Sequence, residues 1–152
     1  MAEVTKSARV VAAAEMAEVV GPQQQHLIPC VTRETCGSEG ISAAMVNMVP
    51  GKVALAHYHA HSETVVVCLS GRAVTLIGPD LVPYEHGPGE FLYIPEGVVH
   101  VAVNHSATES LVALDIRTDP QFSADLVLTP EYDAPAAEVA ARLWRDNASV
   151  RA

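Results

Sequence analysis

Two stretches decide the reading: Gly51 to Gly71, GKVALAHYHAHSETVVVCLSG, and Gly89 to Asn104, GEFLYIPEGVVHVAVN. In the first, His57 and His59 stand two apart, a spacing that points both imidazoles to the same face of a strand. An imidazole pair facing a barrel interior is costly unless it is hydrogen-bonded or bound to a metal. His61 continues the parity where the strand should be ending, and Glu63 opens the returning strand within reach of the same interior point. In the second stretch, Gly89 and Gly97 permit tight turns and Pro95 fixes the chain before the corner. His100 follows that corner and projects back inside. Asn104 lies on the same side by parity and reads as structural.

His57, His59, His100 and Glu63 therefore make a candidate metal centre of three imidazoles and one carboxylate. A mixed nitrogen–oxygen set suits Zn, Fe, Mn, Ni or Cu better than Ca or Mg. Neutral imidazoles leave the ion much of its charge, so a bound hydroxyl or enol loses its proton more easily. His61 has three readings: a ligand, an acid–base group near the metal, or a plain turn histidine. His105 has opposite parity to His100 and is expected to face outward, while His26 and His86 read as surface residues. Tyr58 is expected to face away from the metal, and Tyr93 is ambiguous. Met45 and Met48 have opposite parity; either is a candidate for the cavity lining, with core packing the default for both.

Working outward, the chain reads as all-β. Apolar and β-branched runs at Ile41–Val49, Val53–His59, Thr64–Leu69, Ala73–Ile77, Phe91–Ile94, His100–Asn104, Leu111–Arg117 and Leu126–Leu128 are separated by Gly, Pro, Asn and Asp. Many short strands at this spacing indicate a barrel or sandwich. Ser7–Val20 is Ala-rich and fits helix or strand. Pro135–Trp144 predicts a helix, with Asp133 as a cap and Val139, Leu143 and Trp144 as an apolar stripe.

The length of 152 residues suits one domain, with a core barrel at about 27–130, an N-terminal arm at 1–26 and a helical tail at 134–152. A net charge of −9 with no basic block argues against nucleic acid and anionic membrane as partners. Only 18% of residues are charged, which implies an apolar pocket or a contact surface. Three cysteines, Cys30, Cys36 and Cys68, cannot all pair; Cys30 and Cys36 could pair in an oxidising compartment, but all three read first as free thiols in a reducing one. No apolar run reaches the ~18 residues of a membrane span, so a cytoplasmic protein is expected.

The two stretches resemble the paired signature motifs of the cupin superfamily. The second matches at Gly89, Pro95, Gly97, His100 and Asn104, and the first at Gly51, His57, His59, Glu63 and Gly71. One spacing departs: Glu63 lies one residue too far from Gly71, so that the usual carboxylate position falls on Thr64. Either a bulge restores Glu63 or another residue, naturally His61, is the fourth ligand. The resemblance implies a double-stranded β-helix, or jelly-roll barrel, with a short C-terminal helix. Among small members the chain is similar to bacterial aromatic polyketide cyclases of the resistomycin type, in size, His-rich first motif, apolar lining and acidity. That resemblance implies a role in antibiotic biosynthesis: metal-dependent cyclisation of a poly-β-ketone, with His61 as base. Redox-inert Zn becomes the first candidate ion. The alternatives are a metal-dependent dioxygenase or isomerase on a small apolar or phenolic substrate, and a ligand-binding module without catalysis. Open sheet edges, the low charged fraction and the habit of small cupins imply a homodimer.

Overall fold

The computed structural model describes residues 6–150, so the ends of the expected arm and tail, 1–5 and 151–152, lie outside it. Among the described residues are eleven strands and two α-helices: β1 (Val19–Val20), β2 (His26–Val31), α1 (Arg33–Cys36), β3 (Ser42–Met48), β4 (His57–His59), β5 (Thr64–Ser70), β6 (Ala73–Ile77), β7 (Val82–His86), β8 (Phe91–Ile94), β9 (His100–Asn104), β10 (Leu111–Arg117), β11 (Leu126–Leu128) and α2 (Asp133–Val150). They form a six-stranded sheet, β1-β2-β3-β10-β5-β8, and a five-stranded sheet, β11-β4-β9-β6-β7. This is the double-stranded β-helix expected, with a C-terminal helix.

Strict alternation builds the inner faces. In β3, Ser42, Ala44, Val46 and Met48 are buried, and in β10 Leu111, Ala113, Asp115 and Arg117 are buried, with the residues between them only half covered. Opposite parity on the five-stranded sheet serves the helix. Val74, Leu76, Val101 and Val103 face outward into a second core with Ala136 and Ala140, flanked by Val139, Leu143 and Trp144. The expected helical stripe therefore covers the back of this sheet. Hydrogen bonds fix it there, among them these: the Asp133 carboxylate accepts from the Ala56 amide at 2.8 Å, and the Trp144 indole donates to the Asn104 carbonyl at 2.9 Å.

Some elements depart from expectation. Ser7–Val20 holds only a short 3-10 turn at Ala13–Glu15 and the two-residue β1. Val53–His59 is not one strand; Val53 makes an isolated bridge to Val103, and regular pairing begins at His57. β2 and β7 contain Pro29 and Pro83, which hide them from a propensity reading. Both prolines sit where a missing amide is tolerated. Pro29 adjoins a register shift beyond the reach of β1, and β7 is a sheet edge.

Candidate metal centre

β4 and β9 are joined by a single register pair, His57 opposite His100, and His59 lies two residues along β4. Together they bring three buried histidines to one place inside the barrel, with candidate ligand nitrogens all within 4.8 Å of one another. The His57 and His100 ring centroids are 4.3 Å apart, and His59 is 5.2 Å from His57 and 5.5 Å from His100.

Two of the rings are fixed in the same way. His57 Nδ1 donates to the Leu55 carbonyl at 2.8 Å, and His100 Nδ1 donates to the Val98 carbonyl at 3.0 Å. A carbonyl only accepts, so each neutral ring keeps its lone pair on Nε2. His59 Nδ1 lies 3.4 Å from Asp125 Oδ1, an ion-pair distance without hydrogen-bond alignment, and neither of its ring nitrogens has a hydrogen-bond partner. Asp125 is held by the Ser62 hydroxyl at 2.7 Å and the His61 amide at 2.9 Å.

The electrostatics keep these rings neutral. Burial drives His57 well below the ordinary histidine range, helped by the neighbouring His100. Burial pushes His100 down to about 4. His59 is lowered by burial and then by the Arg117 guanidinium. Burial pulls Asp125 upward, but its bonds to Ser62 and the His61 amide, with the nearby His59 ring, outweigh it and hold the carboxyl below the usual range. Three neutral buried imidazoles, one with both nitrogens unpaired, fit a transition ion by donor chemistry.

Glu63 stands outside this cluster. It is exposed, its carboxylate accepts a short hydrogen bond from the Tyr93 hydroxyl, and its amide is tied to Thr118 Oγ1 at 2.9 Å. That bond raises the Tyr93 hydroxyl pKa. A bulge does occur in β5, where Ser70 and Cys68 pair with successive residues of β10 and leave Leu69 over. It lies at the far end of the strand from Glu63. Thr64 occupies the inward position instead, buried opposite Arg117, with its hydroxyl unpartnered. His61 is exposed on the β4–β5 turn, and only its backbone amide is engaged, with Asp125.

Other histidine expectations need correction. His86 is 5% exposed and lines the barrel cavity rather than the surface, because the edge strand β7 ends by turning it inward beside Thr75. His105 is also buried, 3.3 Å from Glu85 and covered by the end of α2, whose Asn147 side chain donates to its carbonyl. His26 is half-exposed and paired with Glu18 at 2.9 Å. Asn104 is structural: its amide nitrogen reaches three carbonyls, and its oxygen accepts from the Ser106 amide.

Asp115 and Arg117 escaped the sequence reading. Arg117 is 2% exposed, grips Asp115 with two parallel bonds of 3.0 and 2.9 Å, and stacks on Phe122 at 3.9 Å. Their shared parity with Leu111 and Ala113 was the available signal. Both line a cavity of about 40 Å³ with His57, His100 and Thr64.

Fold and site define a cupin-type barrel with a metal-ready three-histidine centre. Residues 44–117, just under half of the chain, match the model of the Cupin domain family. No curated protein matches the chain. One similar solved structure is a conserved double-stranded β-helix protein from Klebsiella pneumoniae, at 16% identity and TM-score 0.63, covering 81% of this chain and 98% of that one. Another is the Lactobacillus farciminis oxalate decarboxylase formate complex, at 18% identity and TM-score 0.65, of which this chain spans about a third (80% of this chain, 36% of that one). KdgF from Halomonas is similar at 16% identity and TM-score 0.61, over 76% of this chain and 96% of that one. These likenesses are of fold.

They overturn the polyketide-cyclase expectation, and with it the role in antibiotic biosynthesis, since the similar structures include oxalate decarboxylases and KdgF. The cavity agrees. Pockets for drug-sized ligands run to about 300–1,000 Å³, and about 40 Å³ cannot fold a poly-β-ketone. Among the described residues, no helix is long and apolar enough to cross a membrane.

Proposed function

We propose that the chain is a metal-dependent enzyme of the lyase or isomerase type acting on a small carboxylate-bearing substrate. The observation that carries this reading is the convergence of His57, His59 and His100 beside a small enclosed cavity. The oxalate decarboxylases and KdgF among similar folds lend it support. His57, His59 and His100 would hold one divalent transition ion, with Zn the first candidate. Such an ion supplies Lewis acidity toward a carboxylate or carbonyl oxygen.

The chain's own residues do the rest. The Leu55 and Val98 carbonyls lock two rings in one tautomer, and the Asp125 carboxylate lies 3.4 Å from the third, His59, close enough to orient it once the ring takes up a ligand role. Arg117 and Asp115 cancel each other's charge, so the cavity wall adds little net field of its own. Glu63 would complete the ligand set only if its carboxylate left Tyr93; held as it is, the three histidines alone would hold the ion, which would then be free to take substrate. His61 is retained as the proton-transfer candidate at the adjoining turn. The reading also keeps a homodimer, supported by exposed Phe91 and Tyr93 on the edge strand β8. Light scattering giving a mass near 16.1 kDa would refute the dimer.

The test loads the protein with Zn, Mn or Fe and supplies oxalate and a panel of small 2-keto and 2-hydroxy acids under argon. Products are followed by proton NMR. Metal-dependent turnover that disappears in His59→Ala and His100→Ala is expected. Failure to bind any of these ions, or turnover that survives both substitutions, overturns the reading.

A further inference from the structure

The cavity continues beyond the histidines. Along β6, Ile77 pairs with His100 and Ala73 pairs with His86. Four residues of strand separate those levels, roughly 13 Å at about 3.3 Å per residue. On the facing sheet the same axis runs from Arg117 to Met48, whose carbonyl is bound by Asn104 at the His86 level. Val46, Val66, Ala102 and Ala113 line the stretch between.

The far end is polar again. His86 is 5% exposed; its Nε2 is 3.0 Å from the Thr75 hydroxyl, while its Nδ1 has no partner. Gln25 is 6% exposed, and its side-chain oxygen also has no partner. It reaches this level because the next residue, His26, pairs with Asn47, beside Met48. Both residues line the cavity. Buried polar groups without partners are uncommon and costly, and two at one end of this small cavity point to a small, slender ligand that satisfies them.

The charge at this end is also informative. Among the described residues lining the cavity, Asp115 and Arg117 alone carry charge, and they are paired with each other near the opposite end. Burial keeps His86 toward its neutral form. The acid acting on it, Glu90, is exposed and receives the Gly87 amide. A carboxylate brought to the His86 end would meet no cation and one nearby anion.

We infer that His86 and Gln25 form the recognition end of the cavity. They select a slender monoanion whose carboxylate lies at the histidine centre and whose other end bears an uncharged hydrogen-bonding group such as a hydroxyl. This rests on the function proposed above, which places a carboxylate at the metal end. The apolar stretch between suits methylene groups. A second carboxylate is excluded by desolvation without compensation.

Three four-carbon probes isolate the far end: butyrate, 4-hydroxybutyrate and succinate, titrated calorimetrically into the Zn-loaded protein. 4-Hydroxybutyrate should bind at least about tenfold more tightly than either of the others. In His86→Leu, and separately in Gln25→Leu, its preference over butyrate should fall below about threefold, with butyrate affinity and Zn content unchanged. Equal binding of butyrate and 4-hydroxybutyrate overturns the inference and leaves the metal-site reading standing. Tighter binding of succinate, or a hydroxyl preference that survives both substitutions, does the same. Binding of none of the three to Zn-loaded protein overturns the small-carboxylate reading and this inference with it.

Discussion

His100→Gln should make the metal-free protein less sensitive to acid. The folded His100 ring titrates at about 4, against 6.5 for an unhindered histidine, chiefly because burial disfavours its charged form. The unfolded chain therefore takes up the proton first as pH falls. Above pH 6.5 both states are neutral and the full stability is present; below 6.5 stability is lost, and the loss is complete near pH 4. At about 1.36 kcal/mol per pH unit, the whole interval amounts to roughly 3 kcal/mol, of which about 2 kcal/mol is gone by pH 5. His57 and His59 are lowered in the same direction and add to the wild-type loss. Because His100 is itself one cause of the His57 shift, the substitution also relieves part of the His57 contribution. The assay is urea unfolding of EDTA-treated protein, followed by circular dichroism at pH 7.5, 6.0, 5.0 and 4.5. The wild type should lose at least about 2 kcal/mol more than His100→Gln between pH 7.5 and 5.0. Stability curves that run parallel across that range would refute the reasoning, whatever the absolute stability of the variant.

Asp125→Asn should weaken Zn binding by about 10–100-fold, measured by chelator competition, because the carboxylate facing His59 is lost. Gly71→Ala should destabilise the fold by at least about 2 kcal/mol in denaturant titration. Its φ of +84° suits glycine, and an added Cβ would sit 2.6 Å from the Ser110 carbonyl oxygen. With a thiol reagent at pH 8, Cys30 and Cys36 should react in the native protein, whereas Cys68 reacts only on unfolding. Cys68 is fully buried, and burial raises its thiol pKa.

What the sequence disclosed follows from periodicity. His57, His59 and His100 were legible because parity and two rigid corners aim them at one point, and β3 and β10 alternate strictly enough to reveal their inner faces. Prolines hid β2 and β7, and losing β7 sent His86 to the surface in the sequence reading. His105 was misplaced for another reason. Parity turned it away from the barrel interior, but α2 covers that outer side, and a strand pattern carries no information about what packs on its back. Asp115 and Arg117 were overlooked because charged residues are expected outside, although Leu111 and Ala113 already marked their face as buried. The placement of Glu63 depends on its pairing with Tyr93, some thirty residues away, which no local spacing encodes.

The bonds that Asp133 and Trp144 make from α2 have a mechanical consequence. Asp133 grips the amide of Ala56, the residue before His57, and Trp144 grips the carbonyl of Asn104 at the other end of β9 from His100. β4 and β9 share one register pair, too little backbone pairing to hold the two histidines at a fixed separation by itself. The helix acts as a splint strapped across the outside of that joint. Ala136 and Ala140 lie flush against it with no exposed surface. A bulkier side chain at either position would lever the splint outward and shift His57 relative to His100, from a place that touches neither ring.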